Sequence, residues 1–248
     1  MFHTCAYTAS NSAAAANADT PALTDGWATI QNNHFIFQQD LKLLAAYANG
    51  AAISDARINT PHFRMVGFPH VCPVDVAALP SSLPALCIWQ PPYITIPHID
   101  EVAMELSNAA GGAEREFALL WVGDGAMNIP QGDIYPLKFT AAITAVANQW
   151  TRGNITFEST LPAGTYSVVG MDVIGTTCVA ARLRFQTYQM LPGCLGRATA
   201  ATKPEKTFRE GRLGEWGRFT NTAIPTLEIL CTAADTAQTG FMDVIKIA

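Results

Sequence analysis

The amino-acid sequence predicts an all-β protein made of two similar β-sandwiches in tandem, with long loops and few short helices. Residues 166–185 carry β-branched and apolar side chains on either side of Gly175, which is typical of two paired strands with a buried face. Charged residues make up only 14% of the chain and apolar residues 49%. No stretch has the sustained 3.6-residue period of a long amphipathic helix, so the class is mainly β.

An internal repeat predicts two units rather than one. Residues 41–58 align without a gap on residues 166–183, which places Gly50 on Gly175, Ala56 on Ala181 and Arg57 on Arg182. Further landmarks recur in the same order at offsets of 123 to 128 residues: Trp27 and Trp150, Ile96-Pro97 and Ile224-Pro225, Ala109-Ala110 and Ala233-Ala234, Phe117 and Phe241. A collinear series of this kind indicates two similar units in tandem.

The predicted organisation has four parts. Residues 1–26 are rich in Ala, Ser, Thr and Asn and predict an N-terminal arm, either a loose tail or a strap that orders against a partner. Residues 27–125 form the first β-sandwich, residues 126–149 a connection and the first strand of the second unit, and residues 150–248 the second β-sandwich. The chain has no basic start followed by a continuous apolar segment, so we expect synthesis and folding in a cytoplasm.

Strands are predicted along both units. Residues 27–37 and 41–47 suit strands, although residues 41–48 could equally begin a short helix, and Asn59-Thr60-Pro61 ends the next strand. The later strands are predicted at residues 102–106, 116–122, 134–147, 154–157, 166–174, 178–185, 226–232 and 240–247. A polar insert of mixed charge separates two of them at residues 192–217.

Residues 76–99 contain no Asp, Glu, Lys or Arg, as a membrane-spanning segment would. Five prolines in this segment nevertheless exclude a membrane-spanning helix, because each removes a backbone donor. We therefore expect this segment to be covered by its own domain or by a neighbouring subunit, since Leu79, Leu83, Leu86, Ile88 and Trp89 together would make an unusual exposed patch on a monomer.

Composition argues against several functions. The formal net charge of -5 disfavours a general nucleic-acid coat, because such proteins neutralise phosphates with clustered Lys and Arg. The six cysteines form no C-x-x-C pair, so a zinc site or redox motif is not expected. Cys178 and Cys231 lie in apolar strand patterns, which favours buried free thiols.

No catalytic, cofactor-binding or metal-binding residues are predicted, and the chain is not expected to be an enzyme. It has no P-loop and no G-x-S-x-G elbow, and Gly211, Gly214 and Gly217 lack the G-x-G step of a dinucleotide site. The histidines that a cupin-like metal site would need are widely spaced: His34, His62, His70 and His98. The acidic group Asp100, Glu101 and Glu105 is better explained as solvated strand-edge residues than as a glycosidase pair.

Two β units, low charge, long proline-rich loops and no catalytic constellation resemble the double jelly-roll major capsid proteins of tailless viruses, over residues 27–248. The resemblance implies two eight-stranded jelly rolls per subunit and a homotrimer that forms a pseudo-hexameric tile of an icosahedral shell. It implies a virion protein made in the host cytoplasm, whose partners are itself, neighbouring capsomers and other capsid proteins such as a vertex protein. It implies no specific nucleic-acid recognition and no transmembrane segment, and it leaves room for an internal lipid layer.

Two other classes remain open at this point. One is a tandem β-sandwich binding module, such as a viral spike or adhesin that recognises sugar or a cell surface, and the other is the disfavoured cupin-like enzyme. For the capsid interpretation we expect subunit contacts of about 1,500 Å² or more, supplied largely by the loops at residues 61–97 and 192–217. Deleting residues 1–26 is expected to leave a folded trimer but to weaken shell closure.

Overall fold

The computed structural model describes residues 1–11, 16–17, 29–67, 70–81, 87–89, 91–109 and 114–248, and the fold class is all-β with several sheets. The chain forms two compact units. The N-terminal unit is Thr4–Gly125, and the C-terminal unit combines Met1–His3 with Ala126–Ala248. The described part of the chain has one α-helix, α1 (Pro61–Val66), and one 3-10 helix, Lys206–Phe208. Neither helix is long and apolar enough to cross a membrane.

The N-terminal unit contains two sheets. Its described strands are β1 (Phe2–Asn11), β2 (Ala16–Asn17), β3 (Thr29–Gln31), β4 (His34–Ile36), β5 (Leu41–Gly50), β6 (Ile53–Asn59), β7 (His70–Cys72), β8 (Val74–Asp75), β9 (Cys87–Ile88), β10 (Ile94–Ile96), β11 (Glu101–Asn108) and β12 (Glu114–Gly123). One sheet has the order β1-β12-β5-β10, with β8 and β9 also paired to β5. The other has the order β3-β4-β11-β6-β7, with β2 paired to β11. Side chains from both sheets form one apolar core cluster.

The C-terminal unit forms a continuous nine-stranded sheet. Its strands are β13 (Tyr135–Ala141), β14 (Trp150–Asn154), β15 (Thr156–Phe157), β16 (Thr165–Ile174), β17 (Cys178–Arg184), β18 (Gly193–Arg197), β19 (Gly217–Thr220), β20 (Thr226–Cys231) and β21 (Gln238–Lys246). The path is β14-β20-β17-β18-β16-β21-β13-β15, with β19 on β16. The strand β18 joins the two halves because it pairs antiparallel with β17 and parallel with β16.

The two units share one strand order. The order β1-β12-β5-β10 corresponds to β13-β21-β16-β19, and β4-β11-β6-β7 corresponds to β14-β20-β17-β18. In each series the corresponding strands also follow one another in the same succession along the chain.

The register corresponds as well. Asn49 pairs with Phe117, and its counterpart Ile174 pairs with Thr239. Each of these two pairings is interrupted by one irregularity. The register skips Leu44 in β5 and Val169 in β16. These two residues are 125 positions apart, which is the offset of the ungapped sequence alignment.

The other sheet shows the same agreement. Arg57 pairs with Glu105, and Arg182 pairs with Glu228. The irregularity in these pairings falls at Ser54 and at Val179, again 125 residues apart. The shorter pairings can be compared in the same way. Ile94 lies opposite Leu43, and Gly217 lies opposite Val168, the counterpart of Leu43. Val74 lies opposite Ala48, and Gly196 lies opposite Val173, the counterpart of Ala48.

The predicted pairing around Gly175 is wrong, although the strands themselves are confirmed. β16 and β17 are not neighbours in the sheet, and β5 and β6 belong to different sheets. Gly50 is the last residue of β5 and Gly175 follows the last residue of β16, and neither connection is a hairpin between paired strands. The sequence pattern could not separate these cases, because β5 is buried at every position except Lys42 and so lacks the alternation of a one-sided strand.

Two of the outlying repeat landmarks do not align in the structure. The counterpart of Phe117 is Thr239 rather than Phe241, and the counterpart of Ile96 is Phe219 rather than Ile224. Trp27 and Ala110 lie outside the described residues. The physical reason is that loops between the strands differ in length in the two units, so a fixed residue type drifts away from its strand position.

The prediction of an arm at residues 1–26 is wrong for residues 2–11, which form β1 in a sheet with β12. Tyr7 is fully buried, and its hydroxyl donates to the Val102 carbonyl oxygen at 2.7 Å. Because most side chains of β1 are small, its composition resembles that of a tail, although residues 2–9 are all buried. Residues 12–15 and 18–26 lie outside the described part of the chain.

Candidate functional surfaces and their charge clusters

The C-terminal unit encloses a carboxylate surrounded by three guanidinium groups. Glu228 on β20 has a fully buried side chain and accepts hydrogen bonds from Arg182 Nε at 2.7 Å, Arg184 Nε at 2.9 Å and Arg152 Nε at 2.9 Å. The register dictates this arrangement, since Arg152 and Arg182 lie directly opposite Glu228 on the strands to either side. The guanidinium of Arg182 also lies 4.1 Å from the ring centroid of Trp150.

The arginines keep Glu228 ionised. Burial acts to raise the pKa of this carboxyl, but the charge of Arg182 and the hydrogen bonds from Arg184 and Arg182 outweigh it, and the pKa lies below its usual value. A buried carboxylate with this many donors fixes the three strands in register, because any slip would leave a charge without its partners.

The counterpart in the N-terminal unit is open. Glu105 stands at the position of Glu228, Arg57 at that of Arg182, and Asn59 at that of Arg184. Glu105 accepts a hydrogen bond from the neutral amide of Asn59 at 2.7 Å, and Arg57 binds Asp55 at 2.6 Å with half of its side chain exposed. On the strand beside Glu105, Asn17 occupies the position that Arg152 holds beside Glu228.

A pocket of about 290 Å³ lies over this open surface, lined by Arg57, Asn59 and Glu105 together with α1 residues Phe63 and Arg64. The helix begins where Thr60 Oγ1 accepts from the Phe63 backbone N–H at 3.0 Å and ends at Gly67, which adopts a left-handed conformation with φ of 72°. We call the exposed face formed by Arg57, Asn59 and Glu105 the open charged face.

Another pair of counterpart positions organises a loop in each unit. In the C-terminal unit, Asp172 on β16 binds Arg197 on β18, with Arg197 Nε at 2.7 Å, and Arg197 also donates to the carbonyl oxygens of Thr199, Ala200 and Thr202. In the N-terminal unit, Tyr47 and Asp75 occupy these two positions. In the N-terminal unit the carboxylate is therefore Asp75 on β8, whereas in the C-terminal unit it is Asp172 on β16, the counterpart of β5.

The hydrogen bonds of Asp75 follow the same plan with the charge reversed. Its Oδ2 accepts from the Tyr47 hydroxyl at 2.8 Å and from the Ser81 backbone N–H at 2.9 Å. Burial first, and then the negative charge of Asp75, raise the pKa of Tyr47 well above its usual value, so the phenol remains a donor. In both units, this position therefore ties the following loop to the sheet.

The polar insert predicted at residues 192–217 is anchored by a third buried carboxylate. Asp243 on β21 accepts from Arg209 through two nitrogens, Nε at 2.6 Å and an Nη at 2.7 Å, and from the Glu210 backbone N–H at 3.0 Å. A hydrogen bond from Arg209 to Asp243, opposed by burial, raises the pKa of this guanidinium. Such a bidentate pair fixes both the position and the orientation of the loop.

The residues weighed for catalysis are not brought together. His34 contacts the Asn32 carbonyl oxygen at 2.7 Å, exposed His98 lies 3.1 Å from Asp40, and His62 lies beside Phe63. His70 is in β7. Across the described ranges, no group of three or more His, Cys, Asp or Glu side chains could hold a metal ion.

The acidic group that was weighed as a glycosidase pair is also dispersed. Glu101 is exposed at the first position of β11, while Glu105 lies further along the strand on the open charged face. All six cysteines are free, and Cys178 lies directly opposite Cys231 on the neighbouring strand, both buried.

The charge-free segment at residues 76–99 is partly covered. β9 and β10 pair with β5, and Trp89 packs against the core of the N-terminal unit. Val76 and Ile88 remain 65% and 40% exposed. Leu83 and Leu86 lie outside the described residues.

The buried carboxylates were missed by sequence reasoning, although a signal was present. Asp172, Glu228 and Asp243 each stand alone in an apolar strand sequence, flanked on both sides by hydrophobic residues. A charged residue in such a run must be paired when the strand is buried on both faces. The sequence could have flagged these positions, but not their partners, which come from distant strands and from the insert.

Comparison with known proteins gave no match: no family model, no curated protein and no solved structure is significantly similar to this chain.

Proposed function

We propose that this protein is a viral major capsid protein with two jelly rolls per subunit, which assembles through its surfaces as trimeric, pseudo-hexameric tiles of an icosahedral shell. The observation that carries the proposal is the shared strand order of the two units. When eight strands of each unit are numbered along the chain, the sheet orders are 1-8-3-6 and 2-7-4-5. This order supports a jelly roll, an eight-stranded double-sheet fold found in viral capsid proteins.

The register supports an internal duplication. In two long strand pairings of each unit, β5–β12 with β16–β21 and β6–β11 with β17–β20, the single irregularity falls at counterpart residues 125 positions apart. Two unrelated sandwiches of the same order would have no reason to share the position of each irregular pairing, since bulges can be placed at many positions along a strand.

Two similar frameworks in one chain suit a shell. Three subunits around a threefold axis present six similar edges, so one gene product can form a nearly hexagonal tile. On this proposal, the partners are other copies of the chain, neighbouring capsomers and further capsid proteins such as a vertex protein. The protein is then a non-enzymatic virion component.

The exposed surfaces of the N-terminal unit support contacts of this kind. Met65, Val76 and Ile99 are 86%, 65% and 66% exposed, and the open charged face holds hydrogen-bonding groups whose counterparts in the C-terminal unit are buried. Exposed apolar side chains and accessible charged groups are typical of regions that a partner covers. We therefore assign this region to subunit contacts.

The test is the mass of the purified protein by native mass spectrometry, followed by electron microscopy of concentrated samples. We expect trimers that form larger closed or flat arrays as concentration rises. A protein that stays monomeric at high concentration would contradict the proposal and favour the tandem binding module, because a shell protein must bury extensive surface between copies.

A further inference from the structure

A second cavity, which the capsid proposal does not use, lies within the C-terminal unit. It has a volume of about 570 Å³, and its lining includes Tyr135, Leu137, Tyr166 and Val244, with Asp133 and Lys246 as its charged members. Cavities of this size with mainly apolar walls and a few polar groups are typical sites for small ligands.

The walls come from three neighbouring strands. Tyr135 on β13 pairs with Val244 on β21, and Lys246 on β21 pairs with Tyr166 on β16. Tyr135 and Leu137 lie on the same face of β13 as buried Phe139, so the cavity extends the apolar interior of the sandwich towards one end.

One wall is rigid before any ligand binds. The Tyr166 ring stacks on Phe219 with 5.4 Å between centroids, and its hydroxyl donates to the Pro162 carbonyl oxygen at 2.7 Å. A wall that is already ordered costs little conformational entropy when a ligand binds.

The corresponding end of the N-terminal unit is filled by its own side chains. Leu41 and Val122 are the counterparts of Tyr166 and Val244, and both are fully buried in a core cluster that also contains Phe37. The same framework is thus packed in one unit and leaves a cavity in the other.

We propose that this cavity binds a small amphiphile with a hydrocarbon chain and a single negative charge, such as a fatty-acid carboxylate. The chain lies against Leu137, Val244 and Tyr166, and the exposed ammonium of Lys246 attracts the head group. Asp133, the other charged lining residue, disfavours a head group with a second negative charge, and this selects a carboxylate over a phosphate dianion. None of these lining residues belongs to the open charged face or to the loops at residues 61–97 and 192–217, so the test of this proposal is separate from the test of shell assembly.

The test is titration of the full-length protein with dodecanoate below its micelle concentration, by calorimetry and native mass spectrometry. Dodecanol and dodecylammonium serve as neutral and cationic probes with the same chain. We expect one dodecanoate per chain, bound more tightly than dodecylammonium.

Variants then separate head-group from chain recognition. Lys246→Gln should weaken dodecanoate binding about 3-fold, as expected for an exposed ion pair, and leave dodecanol binding unchanged, whereas the exposed control Lys203→Gln should change neither. Leu137→Trp should fill the cavity and abolish binding of all three probes, with near-ultraviolet circular dichroism as its folding check.

Several outcomes would overturn the proposal. These are the absence of saturable dodecanoate binding, equal binding of the three head groups, and equal effects of Lys246→Gln and Lys203→Gln. The Lys246→Gln variant decides the question even if Leu137→Trp does not fold, because Lys246 is exposed.

Discussion

The substitution Glu228→Gln tests whether the buried charge cluster stabilises the C-terminal unit. It removes a carboxylate that accepts from three arginines and leaves Arg182, with a side chain only 2% exposed, without its counter-charge. Removing one partner of a buried ion pair typically costs about 3–5 kcal/mol. For a domain of this size, that loss lowers the melting temperature by about 12–20 °C.

The chain provides its own matched control at the counterpart position. Glu105→Gln removes a carboxylate that is bound by one neutral amide and is partly exposed, so the expected loss is about 1 kcal/mol or less. Differential scanning calorimetry of both variants measures the difference. Equal losses for the two variants would refute the reasoning, because register alone would then matter more than burial and charge.

The pH dependence follows from the lowered pKa of Glu228. A carboxyl whose pKa is lower in the folded state contributes its stability fully above the unfolded-state pKa of about 4.3, and this contribution is lost as the pH falls through the folded-state pKa. The wild-type C-terminal unit should therefore lose stability in acid more steeply than Glu228→Gln. Parallel acid-unfolding curves for the two proteins would contradict the assignment.

Three further outcomes are expected. Deleting residues 1–11 should unfold the N-terminal unit, measured by circular dichroism, because the strand supplies part of its core; a folded deletion variant would show that β1 is dispensable. Half-buried Cys87 should react with a thiol reagent before Cys72, whose pKa is raised by burial to about 12, as mass spectrometry of labelled peptides can show. Arg57→Gln should weaken assembly in light scattering without changing the melting temperature, while Lys203→Gln changes neither, and equal assembly of both variants would remove the open charged face from the interface.

Sequence reasoning aligned residues 41–58 with residues 166–183 for a physical reason. Each range runs through two long strands joined by a short connection, and no insertion or deletion interrupts their correspondence. The later strands keep their register but follow loops of unequal length, and the landmarks chosen there did not align. Identities such as Phe117 and Phe241 arose by chance from the composition of the chain and do not mark equivalent strand positions.

The candidate surfaces were less predictable than the strands. The partners of Asp172 and Glu228 come from different strands, and no local pattern encodes those pairings. The strand β1 was missed because residues 2–9 are all buried and most of them are small, so the segment has neither the alternation nor the strong hydropathy of a typical strand. The connection at Gly175 was mistaken for a hairpin because β16 is buried along almost its whole length and so has no period-two signal.

The different charges at one pair of counterpart positions bear on how a chain with two similar frameworks avoids folding incorrectly. Two frameworks with equal registers could exchange strands, a characteristic failure of repeat proteins. An exchanged pairing of β16 with β8 in the same register would put Asp75 where Arg197 stands beside Asp172 and bury two carboxylates together. Arg197 would then lie beside Tyr47 without a counter-charge. Two like charges at close range cannot both remain ionised without a large cost. The difference between these two pairs of side chains therefore makes strand pairing within each unit more stable than strand pairing between units.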